Sequence, residues 1–227
     1  MIKLSPSTLG DFNKCQRCFW FDKKMGKPKP RGIFPSLPGG MDKAIKARFD
    51  AYRLNRLMPV EIKNKVSGEL FPDQRRIDSW RAWGMGLDAI IGGTRLSGQI
   101  DDAIQEPDGS ITVLDYKTRG YPPKPGDSEL YYGQQMDAYG LLFQMNGRKI
   151  SGKGHLVYYW PARSDSDLIP TDVKFVFEST VVDLDIRPER TLELINRIVA
   201  ALAQDVPPVP ALDCEYCAFV STRTRGC

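Results

Sequence analysis

Apolar positions recur at helical spacing through much of the first eighty residues, at strand spacing from 87 to 116, and at both spacings in turn beyond. From Ser5 to Lys24 the apolar positions Leu9, Phe12, Phe19 and Phe21 predict a helix, with Ser5 or Ser7 as its cap. Residues 25–40 are rich in Pro and Gly and predict a long loop. A helix follows over 41–57, with Ile45, Phe49 and Tyr52 on one side, and another over 73–83, with Ile77, Trp80 and Trp83 inward. The pattern then changes. Segments 87–91, 94–104 and 110–116 are short, β-branched and bounded by turns, and predict a meander. A loop over 119–128 precedes a helix over 130–145, whose apolar side is Tyr132, Met136, Tyr139, Leu142 and Phe143. Strands over 154–160 and 173–182, a helix over 187–203, a Pro-rich stretch at 207–210 and a cysteine-bearing tail complete the chain. This order predicts an α/β (mixed α+β) fold, a central mixed sheet with helices on its faces. No linker interrupts it, so one domain over 1–227 is expected, with segments 1–40 and 205–227 joined as a cysteine-tied module on the core.

Composition narrows the class. The chain has 227 residues, 41% hydrophobic and 26% charged, ordinary values for a soluble globular protein. No apolar run approaches the roughly 18 residues of a membrane span, and the start lacks the apolar stretch of a secretory signal. A cytoplasmic protein with no membrane partner is expected. The net charge of +4 is unevenly spread. Residues 1–60 hold 13 Lys and Arg against 4 Asp and Glu, and the remainder holds 19 against 24. The basic part includes Lys23, Lys24, Lys27, Lys29 and Arg31, a stretch that can neutralise phosphates or simply stay solvated.

Two strings carry the candidate chemistry: Gly98-Gln99-Ile100-Asp101 and Leu114-Asp115-Tyr116-Lys117-Thr118. The turn-like Glu106-Pro107-Asp108-Gly109 lies between them, so a hairpin would bring Asp101, Asp115 and Lys117 together. Residues i and i+2 of a strand share a face, which aligns Asp115 with Lys117 and turns Asp102 away. Phosphodiester hydrolysis needs an activated water and a stabilised leaving oxygen, and hard ions such as Mg²⁺ or Mn²⁺ on carboxylates serve both needs. Asp101 and Asp115 are the expected ligands, with the backbone carbonyl of Tyr116 as a further donor. Lys117 would orient the water or steady the charge of the transition state. An Asp-x-Lys alone is common on surfaces. Here Ile100, Val113, Leu114 and Tyr116 imply charges embedded in a core sheet, where an unused charge is costly.

Five cysteines fall at Cys15, Cys18, Cys214, Cys217 and Cys227. The odd count argues against a disulfide framework. Both ends carry Cys-x-x-Cys, a metal-ligand spacing, and two such pairs would clamp the N-terminal helix to the tail.

Taken together, these strings resemble the PD-(D/E)xK nuclease superfamily, in particular its RecB-like branch, which includes recombination exonuclease domains and CRISPR-adaptation nucleases. The resemblance runs through Leu4-Ser5-Pro6-Ser7 with Phe12 and Cys15, Gly98-x-Ile100-Asp101, Asp115-Tyr116-Lys117-Thr118, and Gln135-x-x-x-Tyr139. It implies a restriction-endonuclease-like core and a metal-dependent nuclease with exonuclease-like action on DNA, on single strands or ends. It also implies that Gln135 and Tyr139 lie beside the active centre. The family often takes a His ligand from its first core helix. This chain's one histidine, His155, is far downstream and reads as a strand residue with a structural hydrogen bond. Asp42 is the candidate substitute; otherwise the position has no ligand. Some members also hold a [4Fe–4S] cluster on one early and three late cysteines, here Cys15, Cys214, Cys217 and Cys227. The long spacing to Cys227 favours Cys18 in its place. The resemblance leans to the cluster, with Zn²⁺ as the alternative.

Trp20, Trp80, Trp83, Trp160, Tyr131 and Tyr132 are the large aromatics that can stack on unpaired bases. Trp80 and Trp83 read as core. Tyr131 and Tyr132, with Thr118, Arg119 and Lys124, read as the substrate-binding edge. Two competing readings remain: a nucleic-acid-binding or adaptor module that kept the fold but not efficient chemistry, and an interaction subunit of a larger recombination, repair or defence complex.

Overall fold

A computed structural model describes residues 1–30, 32, 35–82, 84, 86–162 and 175–224. Among these, the N-terminal helix is broken. β1 (Ile2–Leu4) leads into α1 (Pro6–Lys14), which ends at Cys15, and α2 (Gln16–Met25) starts immediately after it. Ser5 caps α1 reciprocally with Thr8, and Pro6 sits in the first turn, where a missing N–H costs nothing. Cys15 adopts an extended conformation (φ −164°, ψ 105°). No Pro or Gly marks this break. Across the break, Cys15 and Cys18 both reach cysteines of the tail.

α3 (Ser36–Leu54) begins five residues before the expected start. Pro38 is tolerated there because the first-turn N–H groups have no helical acceptor. β2 (Glu69–Leu70) and α4 (Gln74–Arg81), capped by Asp73, follow. The helix expected over 73–83 thus ends at Arg81, and Trp83 lies outside the described residues.

The segment read as one strand over 94–104 is two. β3 (Leu87–Ile91) and β4 (Thr94–Gly98) pair with β1 in a three-stranded sheet of order β1-β4-β3. β5 (Asp102–Gln105) belongs instead to a five-stranded sheet of order β2-β5-β6-β7-β8, completed by β6 (Ile111–Thr118), β7 (Ile150–Pro161) and β8 (Phe177–Asp185). The chain crosses between sheets at 99–101. Gly98 is needed at the crossing, since a Cβ there would stand 2.7 Å from Leu142 Cδ1 and 3.2 Å from Tyr139 Cε1. α5 (Asp127–Met145) therefore packs directly against β4.

β5 and β6 form the expected antiparallel hairpin, with Gly109 at φ +79° in its turn. β6 and β7 are parallel. β6 is the central strand and is buried on both faces, which explains its near-continuous apolar sequence. One face packs on α3 through Ile45, Phe49, Leu114, Tyr116 and Val157. The other packs on α5 and α6 (Pro188–Ala203) through Val113, Met136, Tyr139, Leu156 and Ile195. Leu4, Leu9 and Phe12 join this second cluster, so the first twelve residues belong to the main core. The tail beyond Cys214 forms α7 (Glu215–Thr224).

Behind the hairpin lies a buried charge cluster that the sequence did not announce. Asp102 is fully buried and pairs with Arg53 of α3 and, at 3.0 Å, with Arg81 of α4. It also accepts a hydrogen bond from the Tyr116 hydroxyl at 2.7 Å. Asp50 closes the ring by accepting from both arginines. A buried pair that loses one partner leaves an uncompensated charge. Asp102→Ala is therefore expected to destabilise the fold by about 3–5 kcal/mol in urea unfolding; a loss below about 1 kcal/mol would contradict this role.

Candidate active site

The hairpin register sets the site. Asp102 pairs with Leu114, so Asp101 lies one step beyond, opposite Asp115. The backbone fixes Asp101 further: Tyr116 N–H donates to its Oδ2 at 2.9 Å, and Arg81 Nε donates to its carbonyl at 2.6 Å. Lys117 projects on the same side as Asp115, and its ammonium is ion-paired with Asp115 Oδ2. That oxygen is buried and has no further hydrogen-bond partner among the described residues. Gln135 joins the group from α5. Its Oε1 accepts from Lys117 Nζ (3.1 Å), and its Nε2 donates to Asp115 Oδ1 (3.1 Å) and to the Tyr139 hydroxyl (2.9 Å). The i, i+4 spacing of Gln135 and Tyr139 makes the last contact possible.

Electrostatics follow from burial. Burial pushes the Asp115 carboxyl up to about 7, with Lys117 pulling against it and Asp101 adding to the push. Burial alone would lower Lys117, but Asp115 and Asp101 outweigh it and raise its pKa, so it is an ammonium at neutral pH. Burial raises Tyr139 well above a free phenol, so it is neutral. The helix position considered for a family histidine carries Asp42, which accepts from Lys46 Nζ at 2.8 Å. The same ammonium lies 2.8 Å from Asp101 Oδ1. Lys46 was not singled out in the sequence, where it reads as one more lysine on a polar helix face. His155 is on β7, in register with Leu114, with its Nδ1 2.8 Å from Asp183 Oδ1.

The surrounding residues divide. Tyr132 lies under the Lys117 ammonium, 4.5 Å from ring centroid to nitrogen, and so props the lysine. Tyr131 is 63% exposed beside it, next to exposed Leu130. Thr118 is half-buried at the end of β6. The Arg119 guanidinium donates twice to Asp127 (3.1 Å each) and stacks on Tyr121, so two of its donors are engaged within the protein. Trp20 is buried and donates to the Gln204 carbonyl, which removes it from the base-stacking candidates. The basic N-terminal stretch is partly spent on the tail, since Arg17 donates to the Pro208 carbonyl and Lys24 to the Gln204 carbonyl. Arg31 lies outside the described residues.

Comparison with known proteins bears on this geometry. The family model of the PD-(D/E)XK nuclease superfamily matches residues 41–222. The chain belongs to that superfamily. Its members are metal-dependent nucleases, and their substrate is nucleic acid. The match includes both acidic strings, Lys117 and the Gln135–Tyr139 pair, and begins at Met41, one residue before Asp42. No curated protein matches the sequence. A solved structure titled "Crystal structure of SSO0001" matches with a TM-score of 0.41 and 14% identity, over 96% of this chain and 84% of that one. The donor set of this nuclease-family chain suits a hard divalent cation. Two carboxylates converge, and a buried Asp115 oxygen has only an ammonium beside it. Among the described residues, no helix is long and apolar enough to cross a membrane.

A second cluster ties the two ends of the nuclease together. Cys15 and Cys18 meet Cys214 and Cys217, all four sulfurs lying within 4.8 Å of one another. Individual separations are 3.8 Å (Cys15–Cys217), 3.7 Å (Cys18–Cys214) and 3.3 Å (Cys18–Cys217). Cys18 thus completes the group; Cys227 lies outside the described residues. Burial raises the Cys15 thiol, but hydrogen bonds from Ala211 and Cys18 outweigh it and bring it down to about 6. Burial and its cysteine neighbours push Cys18 up. Four crowded thiols cannot all ionise without a cation among them, and such a set fits a thiophilic metal. A metal held by these thiols would fasten the junction of the two ends. Stripping the metal with a chelator, or Cys18→Ser, should lower Tm by at least about 5–10 °C by calorimetry; an unchanged Tm would contradict a structural metal here.

Proposed function

We propose that this chain is a Mg²⁺- or Mn²⁺-dependent deoxyribonuclease that acts on ends or single strands of DNA. The convergence of Asp101, Asp115, Lys117 and Gln135 at one end of the hairpin carries this reading. In it, Asp101, Asp115 and the Tyr116 carbonyl would hold the divalent ion. When bound, the ion supplies Lewis acidity to the scissile phosphate and to the attacking water. Lys117 is an ammonium at neutral pH. It hydrogen-bonds the water and steadies charge on the phosphoryl oxygens rather than removing a proton. Gln135 holds the lysine and Asp115 at a fixed separation, and Tyr139 holds Gln135; both are positioning residues. Water adds across one P–O bond, its oxygen going to phosphorus and its proton to the departing ester oxygen or to solvent.

Exposed Tyr131 and Lys124 supply a face on which unpaired bases and backbone can rest, with Thr118 at its inner edge. Arg119, tied to Asp127, shapes the loop and reaches phosphate only by exchanging that partner. We assign the whole chain to one nuclease domain with the cysteine cluster as its clamp. The sulfur separations support a single ion, because Zn–S bonds of about 2.3 Å in a tetrahedron set sulfurs about 3.8 Å apart. Zn²⁺ is thus favoured by spacing, and [4Fe–4S] remains the assignment that family resemblance implies. A brown protein absorbing near 400 nm would decide for the cluster.

End-labelled single- and double-stranded DNA incubated with Mn²⁺ tests the activity. Wild type should cut in a ladder that shortens from one end, and Lys117→Ala should lose about 10²–10³-fold in rate, the scale of one lost charge-stabilising donor. Cleavage unaffected by Lys117→Ala would overturn the assignment of the centre. Absence of cleavage by folded, Mn²⁺-loaded wild type, with DNA still bound, would favour the binding-module reading.

A further inference from the structure

The residue that distinguishes this centre from a simple pair of acids is Lys46. It sits one helical turn after Asp42 on α3, so both side chains leave the same face of the helix. Its ammonium lies 2.8 Å from Asp42 Oδ2 and 2.8 Å from Asp101 Oδ1. It occupies the space between the helix acid and the hairpin acid. Its side chain is only 24% exposed, so the contact is screened less than a surface pair. Asp101 is also the residue whose other oxygen takes the Tyr116 N–H. The carboxylate is therefore held between a fixed backbone donor and a fixed cation.

Charge decides what this arrangement admits. With Asp115 ionised, the form a bound cation stabilises, Asp42, Asp101 and Asp115 bring three negative charges, and Lys46 and Lys117 bring two positive ones. The group as a whole carries one net negative charge. One divalent ion reverses that to a single positive charge, which one phosphodiester neutralises. A second divalent ion would have to lie between Asp42 and Asp101, against the ammonium already there, in a partly dry site where repulsion is strong.

We propose that Lys46 stands in for a second metal ion, so that the centre binds one divalent cation per chain, on the Asp101–Asp115 side. This rests on the metal-dependent nuclease reading above. Lys46 then contributes a fixed positive charge facing the substrate phosphate, and Asp42 serves to position Lys46 rather than to bind metal.

Counting Mn²⁺ by electron paramagnetic resonance of the free ion tests this, with the ions lost in Asp101→Asn taken as those of the centre. Wild type should bind one Mn²⁺. Lys46→His, which puts a neutral ligand between the same two acids, should bind two. Lys46→Gln, uncharged and closer in size, serves where the histidine variant does not fold, and should admit a second Mn²⁺ at least tenfold more tightly than wild type does. Two ions in wild type would overturn the inference while leaving the nuclease reading intact. One ion in wild type and no second site in either variant would also overturn it, since the lysine would not then be what excludes the second ion. No Mn²⁺ lost in Asp101→Asn would overturn the metal-dependent reading itself, and the inference with it.

Discussion

The buried carboxylate of Asp102 is the contact on which the rest of the site depends. It joins four pieces of chain at one buried point: the hairpin through its own strand, α3 through Arg53, α4 through Arg81, and the neighbouring strand through the Tyr116 hydroxyl. Its sequence neighbour Asp101 and its cross-strand neighbour's successor Asp115 are the two acids of the candidate centre. Burying a charge this deeply is expensive unless every lone pair is used. Here the cost falls on one face of the sheet, and the other face receives two acids at a set separation. The helix that supplies Arg53 also supplies Lys46 and Asp42, so the same fastening that orders α3 also aims its polar residues at Asp101.

Position and electrostatics are thus coupled. Gln135 can touch Lys117, Asp115 and Tyr139 at once only because α5 lies close to the strands, and Gly98 permits that closeness. The tight approach also dries the site, which raises Asp115 to about 7. A carboxylate held so far above its ordinary range is stabilised in its charged form by any cation that can reach it. Four cysteines join α2 to the tail through contacts nearly 200 positions apart in the chain. They close the structure without entering the site.

Much of the candidate site was legible because strand alternation is a strict rule. Asp115 and Lys117 had to share a face, Asp102 had to leave the face of Asp101, and the Glu106–Gly109 turn had to fold them together. The family resemblance added Gln135 and Tyr139, which no spacing rule singles out. What stayed hidden depends on tertiary contact. The kink at Cys15 has no local breaker residue. The crossing between sheets at 99–101 is masked because Leu96, Ile100 and Ile104 fall at even spacings that suit one continuous strand. The tail helix after Cys214 lacks an apolar stripe, and its first turn is fixed by the cysteine cluster. Arg53 and Lys46 look like ordinary solvated positions on a helix, and only the structure shows that both reach acids of the hairpin.

The central claim is that Asp101 and Asp115 together form a divalent-metal site at the end of the β5–β6 hairpin. Anomalous diffraction from crystals soaked in Mn²⁺ tests it most directly. The account predicts a manganese peak within about 2.0–2.4 Å of a carboxylate oxygen from each residue. A fully loaded crystal with no peak at that position, or with manganese only at sites remote from both carboxylates, would contradict it.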